Sequence, residues 1–411
     1  MAHTTNPMPD LPPPPPVSRR TIPVAGLLVD FYGLDELPAD TESVSVLWLH
    51  HPRLRSREDM ADIGARCVQA VADESATTRT KHRLVAAAFD QRNHGSRLVS
   101  PRANTAWREG NTTHAQDMFG MIAGTVSDTH LLIDLVDGYH HHDGHDGRGQ
   151  VKAGPGSEPA QKKGDAASDD RDAAYASGIL PAHVAVTQHV VLGVSLGGHS
   201  GWQLLFADER VTAGVLIIGC PDYIGMFHVV LFPVQRFIIC VLGMLPLTAL
   251  DLMVERARLS KLATYKAAAE GGPPFLGSRD FPAALVGSVL KRDPKGIVFG
   301  TNAAVWPSTA AGEKAVHDTL QKHVVGKQFL VCSGGADKLV PYKNGKSFLD
   351  VFKKAAATWP DLGLSVTDRI YDGIGHQFSS AMVVDAIQFV VETVADAPAA
   401  DGAQSPKTSK I

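Results

Sequence analysis

The sequence predicts an α/β protein: a mostly parallel central sheet with helices on both faces and an inserted helical cap. Three observations carry this. Short apolar runs rich in β-formers alternate with stretches of helical spacing along most of the chain, and strands separated by crossover helices pair in parallel and bury both faces. One strand runs directly into Gly193-Val194-Ser195-Leu196-Gly197 and then into a helix-like stretch. Between Pro221 and Val305 the alternation stops, and a mostly helical block takes its place.

Taken in order, residues 1–20 are polar and proline-rich, and Pro12 to Pro16 form an unbroken run. Such a run favours polyproline II and donates no backbone hydrogen bonds, so this segment reads as a disordered tail. Residues 44–49 (VSVLWL) read as a strand. Residues 58–73 have helical spacing, with Met60, Ile63, Cys67 and Val71 on one side. A second apolar run covers 84–89, and a helix begins at Thr113, where Thr113-x-x-Gln116 matches a capping box. Met118, Ile122, Val126, Leu132 and Leu135 continue it. Residues 189–194 form another buried-strand candidate, followed by helix-like 198–207. Further strands are expected at 215–218, 329–332 and 366–371, the last ahead of a final helix over 379–394.

The resulting division is a tail (1–20), a core (21–220 and 306–396), a helical cap (221–305) and a second tail (397–411). Residues 139–177 are rich in His, Gly, Asp, Lys and Ala. With few large apolar side chains they cannot offset their ordering entropy, and a mobile loop is expected. Residues 226–254 are very apolar, but the uncharged piece between Arg236 and Asp251 is shorter than the ~20 residues a membrane helix needs. Lid helices are the first expectation there. Weak membrane-surface contact is the second and an anomalous insertion the third.

The chain has 411 residues, 44% hydrophobic and 20% charged, a balance that allows a buried core and excludes a disordered, collagen-like or coiled-coil chain. A net charge of -4 offers no basic excess to neutralise phosphates, so nucleic-acid binding is not expected. Cys67, Cys220, Cys240 and Cys332 lie far apart with no CxxC pair. That pattern disfavours a disulfide scaffold or structural zinc and fits free thiols in a reducing, cytoplasmic setting. The first residues contain no apolar h-region, so no secretory signal is expected. Oligomeric state is left open.

The chemistry starts at Ser195. A sharp strand-to-helix turn forces its backbone into strain, and glycines two residues to either side allow close approach of neighbouring chain. Its hydroxyl is then presented at the sheet's carboxyl edge. A serine hydroxyl needs an imidazole to take its proton and a carboxylate to orient that imidazole. Asp337 follows the strand at 329–332 in a glycine turn, and His376 follows the strand at 366–371 in Asp372-Gly373-Ile374-Gly375-His376. Asp372 is the rival acid, although its place suits turn formation.

These features resemble the α/β-hydrolase fold, with the nucleophile elbow at Ser195 and the triad order Ser, Asp, His. Gly335-Ala336-Asp337-Lys338-Leu339-Val340-Pro341 is similar to the family's acid loop, and Gly373-Ile374-Gly375-His376 to its histidine loop. Phe89-Asp90-Gln91-Arg92-Asn93-His94-Gly95-Ser96 resembles the D-x-R-G-H-G-x-S loop, with Asn93 in place of the usual glycine. The likeness runs from residue 43 to 395 and leaves out the tails, the His-rich loop and the central block.

The resemblance implies catalysis by Ser195, His376 and Asp337, with the oxyanion held by the N–H of Leu196 and a second N–H from the loop after the third strand. That loop reads Leu49-His50-His51-Pro52-Arg53. Proline has no N–H, so His51 is the expected donor and Arg53 the runner-up. The side chains of His50 and His51 are expected to be structural or pocket-lining, and His199 to lie on a helix surface or in the pocket. His140-His141-His142-Asp143-Gly144-His145-Asp146 could bind metal adventitiously, but no functional metal or cofactor is expected. The segment at 193–198 lacks the G-K-[ST] ending of a phosphate loop.

The implied activity is cleavage of a carboxylic ester with an apolar acyl or alcohol part, through an acyl-serine. The small acyl compound is the expected partner. Acyl transfer, thioester or amide cleavage on the same triad is the alternative. A non-catalytic binding protein that retains the fold is the alternative of another class. Epoxide hydrolysis and dehalogenation are disfavoured, because those relatives use a carboxylate nucleophile where this chain has Ser195.

Overall fold

The computed structural model describes residues 11–136, 179–224 and 260–397, with short pieces at 138, 140–141 and 256–258. The apolar runs become an eight-stranded sheet: β1 (Arg19–Val24), β2 (Leu27–Tyr32), β3 (Ser43–His50), β4 (His82–Phe89), β5 (Ala185–Val194), β6 (Val211–Ile217), β7 (Gln328–Gly334) and β8 (Ser365–Tyr371). Their spatial order is β1-β2-β4-β3-β5-β6-β7-β8. β2 pairs antiparallel with β1 and β4, and every pairing from β4 onward is parallel.

The continuous apolar runs are explained by burial on both faces. Val46, Trp48 and Val191 point into one core. Their neighbours Leu47, Leu49, Val190 and Leu192 point into the other, as the period of two requires. The first core is closed by α2 (His114–Val136), α3 (Leu196–Ala207), α7 (Ala310–Val324) and α8 (Lys343–Thr358). Trp202 of α3 stacks on Phe329 of β7 with ring centroids 5.4 Å apart. The second core is closed by α1 (Ala61–Thr78) and α9 (Ser380–Ala395), through Ile63, Cys67, Met382 and Ala386. The α9 N-terminus is capped by Ser379, whose hydroxyl accepts from Met382 N.

The central block supplies α4 (Ala263–Ala269), α5 (Ala283–Leu290) and α6 (Pro294–Phe299). Phe275, Phe281, Leu285 and Val289 gather with Tyr223, Phe119 and Leu196 into a third apolar cluster. The block therefore shares one apolar cluster with the residue that follows Ser195.

Two expectations change, and one element is new. The tail of residues 1–20 ends early: Arg19 and Arg20 already pair in β1, while Leu11 and Val17 pack against the second core. The hairpin β1–β2 was not foreseen at all. The capping box at Thr113 does not form, because the Thr113 hydroxyl lies 2.9 Å from both Asn111 Oδ1 and Asp117 Oδ2. Asn111 Oδ1 instead accepts from Thr113 N at 3.0 Å.

Cys67 and Cys332 are buried free thiols, and Cys220 is buried with its Sγ 3.3 Å from Asp222 O. Cys240, the segment 226–254, most of the loop 139–177 and the residues from 398 on lie outside the described residues. Among the described residues one helix, α2, is long and apolar enough to cross a membrane. More than half of its apolar window is buried in the protein, through Met118, Ile122, Leu132 and Ile133, as in the core helix of a folded domain.

Candidate active site

β5 ends in Val194, and α3 begins at Leu196. The one residue left to make the turn, Ser195, takes φ 55° and ψ −108°. A non-glycine residue at positive φ is strained, and the strain persists here because both neighbours are fixed. Ser195 N donates to Ile217 O at the end of β6 (2.9 Å), and Ser195 O accepts from His199 N (3.0 Å). The flanking glycines are required sterically. A Cβ at Gly193 would collide with the carbonyl of Gly197, and one at Gly197 with the carbonyl of His50.

The acid and the imidazole arrive on two loops that are laced together. Gly335 N donates to Tyr371 O (2.8 Å) and Ala336 N to Ile374 O (2.9 Å). His376 Nδ1 meets Asp337 Oδ2 at 2.7 Å. A carboxylate only accepts, so Nδ1 carries the proton and Nε2 presents its lone pair. That lone pair faces Ser195 Oγ at 2.8 Å. Burial alone would raise the pKa of Asp337, but the hydrogen bond from His376 and the N–H groups of Val340 and Leu339 outweigh it and hold the pKa below the usual value. The side chains of His376 and Asp337 are 4% and 0% exposed. Asp372, the rival acid, is exposed, and the carboxylate on His376 Nδ1 is that of Asp337.

Leu196 opens α3, so its N–H is among those a helix leaves without an intrahelical acceptor. His51 directly follows β3, on the strand next to β5, and the His50 carbonyl abuts Gly197. The Arg53 side chain donates from Nη1 to Asn104 O at 3.1 Å. His51 is fully buried. Burial drives its pKa down to about 4, against the pull of the Pro52 carbonyl, so its ring is neutral near pH 7. His50 is also buried, its pKa pushed down to about 3 by burial and then by His51. Its Nε2 lies 2.9 Å from Thr129 Oγ1.

His199 does not lie on the helix surface. It is 4% exposed, and its Nδ1 bonds back to Ser195 O at 2.8 Å. Burial lowers its pKa to about 3.

The 89–96 segment works as a brace. Asp90 accepts from Arg57 N, Arg57 Nη1, Ser96 N and Ser96 Oγ at 2.5–2.9 Å. Burial raises the Asp90 pKa, and these bonds lower it further than burial raises it. Asn93 stands at φ 62°, a left-handed position that asparagine tolerates where glycine is usual. Its side chain accepts from Val99 N and Ser100 N. Gln91 was not foreseen as part of the site. It is fully buried against His51, and only its place within the D-x-R motif signalled it. Among the described residues no group of His, Cys, Asp and Glu is arranged to hold a metal ion.

A mixed eight-stranded sheet with only β2 reversed, and with the strained serine between its fifth strand and the following helix, is an α/β-hydrolase fold. No protein-family model matches the chain, and no curated protein sequence is significantly similar to it. Similar solved structures include TT1662 from Thermus thermophilus, at 14% identity and TM-score 0.44, covering 93% of this chain and 99% of that one. A hyperthermophilic esterase from the archaeon Pyrobaculum calidifontis aligns at 14% identity and TM-score 0.39, covering 93% and 86%. Acetyl xylan esterase 1 from Thermoanaerobacterium sp. JW/SL YS485 aligns at 11% and 0.40, covering 94% and 90%. At such identities the likeness is one of fold alone.

Proposed function

We propose that the chain is a serine hydrolase that cleaves a carboxylic ester through an acyl-serine intermediate. The observation that carries the reading is the unbroken line from Ser195 Oγ through His376 to Asp337, with contacts of 2.8 and 2.7 Å, built on a strained serine.

In the reaction Ser195 Oγ attacks the ester carbonyl and passes its proton to His376 Nε2. The imidazolium so formed is held by the Asp337 carboxylate at Nδ1. The carbonyl oxygen takes up the negative charge and is met by the N–H groups of Leu196 and His51. Such donors are worth about 10²–10³ in rate each. Collapse expels the alcohol, protonated by His376, and leaves the acyl-serine. Water, activated by the same imidazole, adds to the acyl carbon, and the acid departs as Ser195 regains its proton. None of these steps calls on a metal or an organic cofactor. The apolar cluster around Leu196, with Phe119 and Tyr223, suits a substrate with an apolar acyl or alcohol part.

Fluorophosphonate labelling tests the assignment. The wild type is expected to label at Ser195 and to show a burst on short p-nitrophenyl esters, and Ser195→Ala to do neither. Equal labelling of both proteins, with esterase activity intact in the variant, would overturn it.

A further inference from the structure

We propose that Gln91 is a positioning residue that fixes the His51 peptide beside the nucleophile elbow, so that the His51 N–H meets the oxyanion. This rests on the serine-hydrolase reading and extends it to a residue that touches no reacting atom.

The need follows from the local chain. Beyond His50 the β3 ladder ends, and Pro52, two residues on, has no N–H to anchor the turn. A donor contributes to a transition state only if it is held in place beforehand. Gln91 supplies the hold from two sides. Its backbone N–H donates to His51 Nε2 at 2.9 Å, and its side-chain amide Nε2 donates to His51 O. Because His51 Nε2 accepts, the ring proton sits on Nδ1, which faces Pro52 O at 2.8 Å. The ring thus closes the turn in a single tautomer.

The other end of Gln91 reaches the rest of the site. Its Oε1 lies 3.1 Å from Thr125 Oγ1 on α2 and 3.5 Å from Ser200 Oγ on α3. The single Ser200 hydroxyl proton has Gln91 Oε1 and Leu196 O, the latter at 3.1 Å, as alternative acceptors. One fully buried side chain therefore spans the loop carrying His51 and the helix that opens with Leu196. Those are the two sources of oxyanion donors.

The test compares wild type, Gln91→Met and Gln91→Glu. Methionine keeps the length and the backbone N–H to His51 but loses the polar contacts at both ends of the amide. Active sites are counted by the burst, so unfolded protein drops out. Each protein is assayed on a short p-nitrophenyl ester and against an alkyl trifluoromethyl ketone, whose Ser195 adduct carries the oxyanion. For Gln91→Met, kcat per titrated site is expected to fall about 10–10²-fold, somewhat less than loss of a whole donor. KM should stay near wild type, and ketone affinity should fall in step with kcat/KM. An unchanged kcat per site, or a loss of kcat with ketone affinity intact, would overturn the proposal.

If Gln91→Met does not fold, Gln91→Glu decides. Its carboxyl can donate to His51 O only when protonated, so the variant-to-wild-type ratio of kcat should climb as pH falls. A flat ratio overturns the proposal. A wild type with no burst and no labelling would instead remove the serine-hydrolase reading itself, a separate and earlier failure.

Discussion

Ser195 and His376 stand 181 residues apart in the chain and 2.8 Å apart in the fold. The approach is imposed by backbone. Ser195 is pinned to the end of β6, and the histidine loop is laced to the acid loop by Gly335 and Ala336. Asp337 then decides the tautomer. In Asp337→Asn, the Leu339 and Val340 N–H groups, now 2.8 and 2.9 Å from Oδ1, will keep the amide oxygen and turn Nδ2 toward His376. The ring must then carry its proton on Nε2, where it cannot take one from serine. Ester turnover should fall by about 10⁴-fold, with the melting temperature close to wild type. Activity within tenfold of wild type would contradict this account.

Much of this was legible because the letters encode local geometry. The elbow needs glycines at 193 and 197, and the acid and histidine loops need theirs to turn back over the sheet edge. The missing parts lacked such a signal. The β1–β2 hairpin turns on Ala25-Gly26 with both residues at positive φ. That turn favours Asn or Asp before Gly, and alanine hides it. The capping box at Thr113 matched in letters and lost to the Asn111 side chain, which reaches the same N–H. Gln91 and His51 meet across 40 residues, a pairing that no spacing rule describes. Of the two places expected for His199, the helix surface falls away because the helix after the elbow is buried all round and offers no polar face.

Gly197→Ala should disable the site through packing. The added methyl would overlap the carbonyl of His50. Backbone on both sides leaves no flexible side chain to yield, and such overpacking costs about 1–3 kcal/mol. The displaced strand end also carries His51. Loss of fluorophosphonate labelling, together with a lower urea midpoint, is expected. Wild-type labelling and midpoint would show that the elbow and β3 are not in contact as described.

Arg57 holds the brace beneath the site. Its guanidinium lies between Asp30 and Asp90, at 3.1 and 2.5 Å, with both carboxylates almost wholly buried. Arg57→Met would leave buried Asp90 without its cation and Asp30 with only the more distant Arg19, at 3.9 Å, a loss of about 3–5 kcal/mol. The sign with pH follows from Asp90. Its pKa is depressed in the fold, so its contribution is present above the ordinary carboxylate value of ~3.9 and fades as pH falls through the lower folded value. The stability gap between variant and wild type, read by urea unfolding, should be widest near neutral pH and close in acid. A gap constant down to strong acid would remove the electrostatic explanation.

Asp293 runs the opposite way. It joins the start of the central block to α6: its Oδ1 accepts from Tyr223 N at 3.1 Å, and Lys295 N donates to Pro221 O nearby. Its other oxygen has no hydrogen-bond partner. Burial first, then the charge of Asp222, pushes its pKa well above the carboxylate range, against the N–H groups of Tyr223 and Gly296. A group with a raised folded pKa contributes stability that is complete below its unfolded value, ~3.9 for Asp, and is lost as pH rises through the folded one. Asparagine keeps the acceptor for Tyr223 N and does not titrate. Asp293→Asn should therefore gain on wild type as pH rises from acid through neutral, measured as the difference in urea midpoint. A difference that stays level over that range would mean Asp293 is ionised in the fold, with its charge compensated by neighbouring groups.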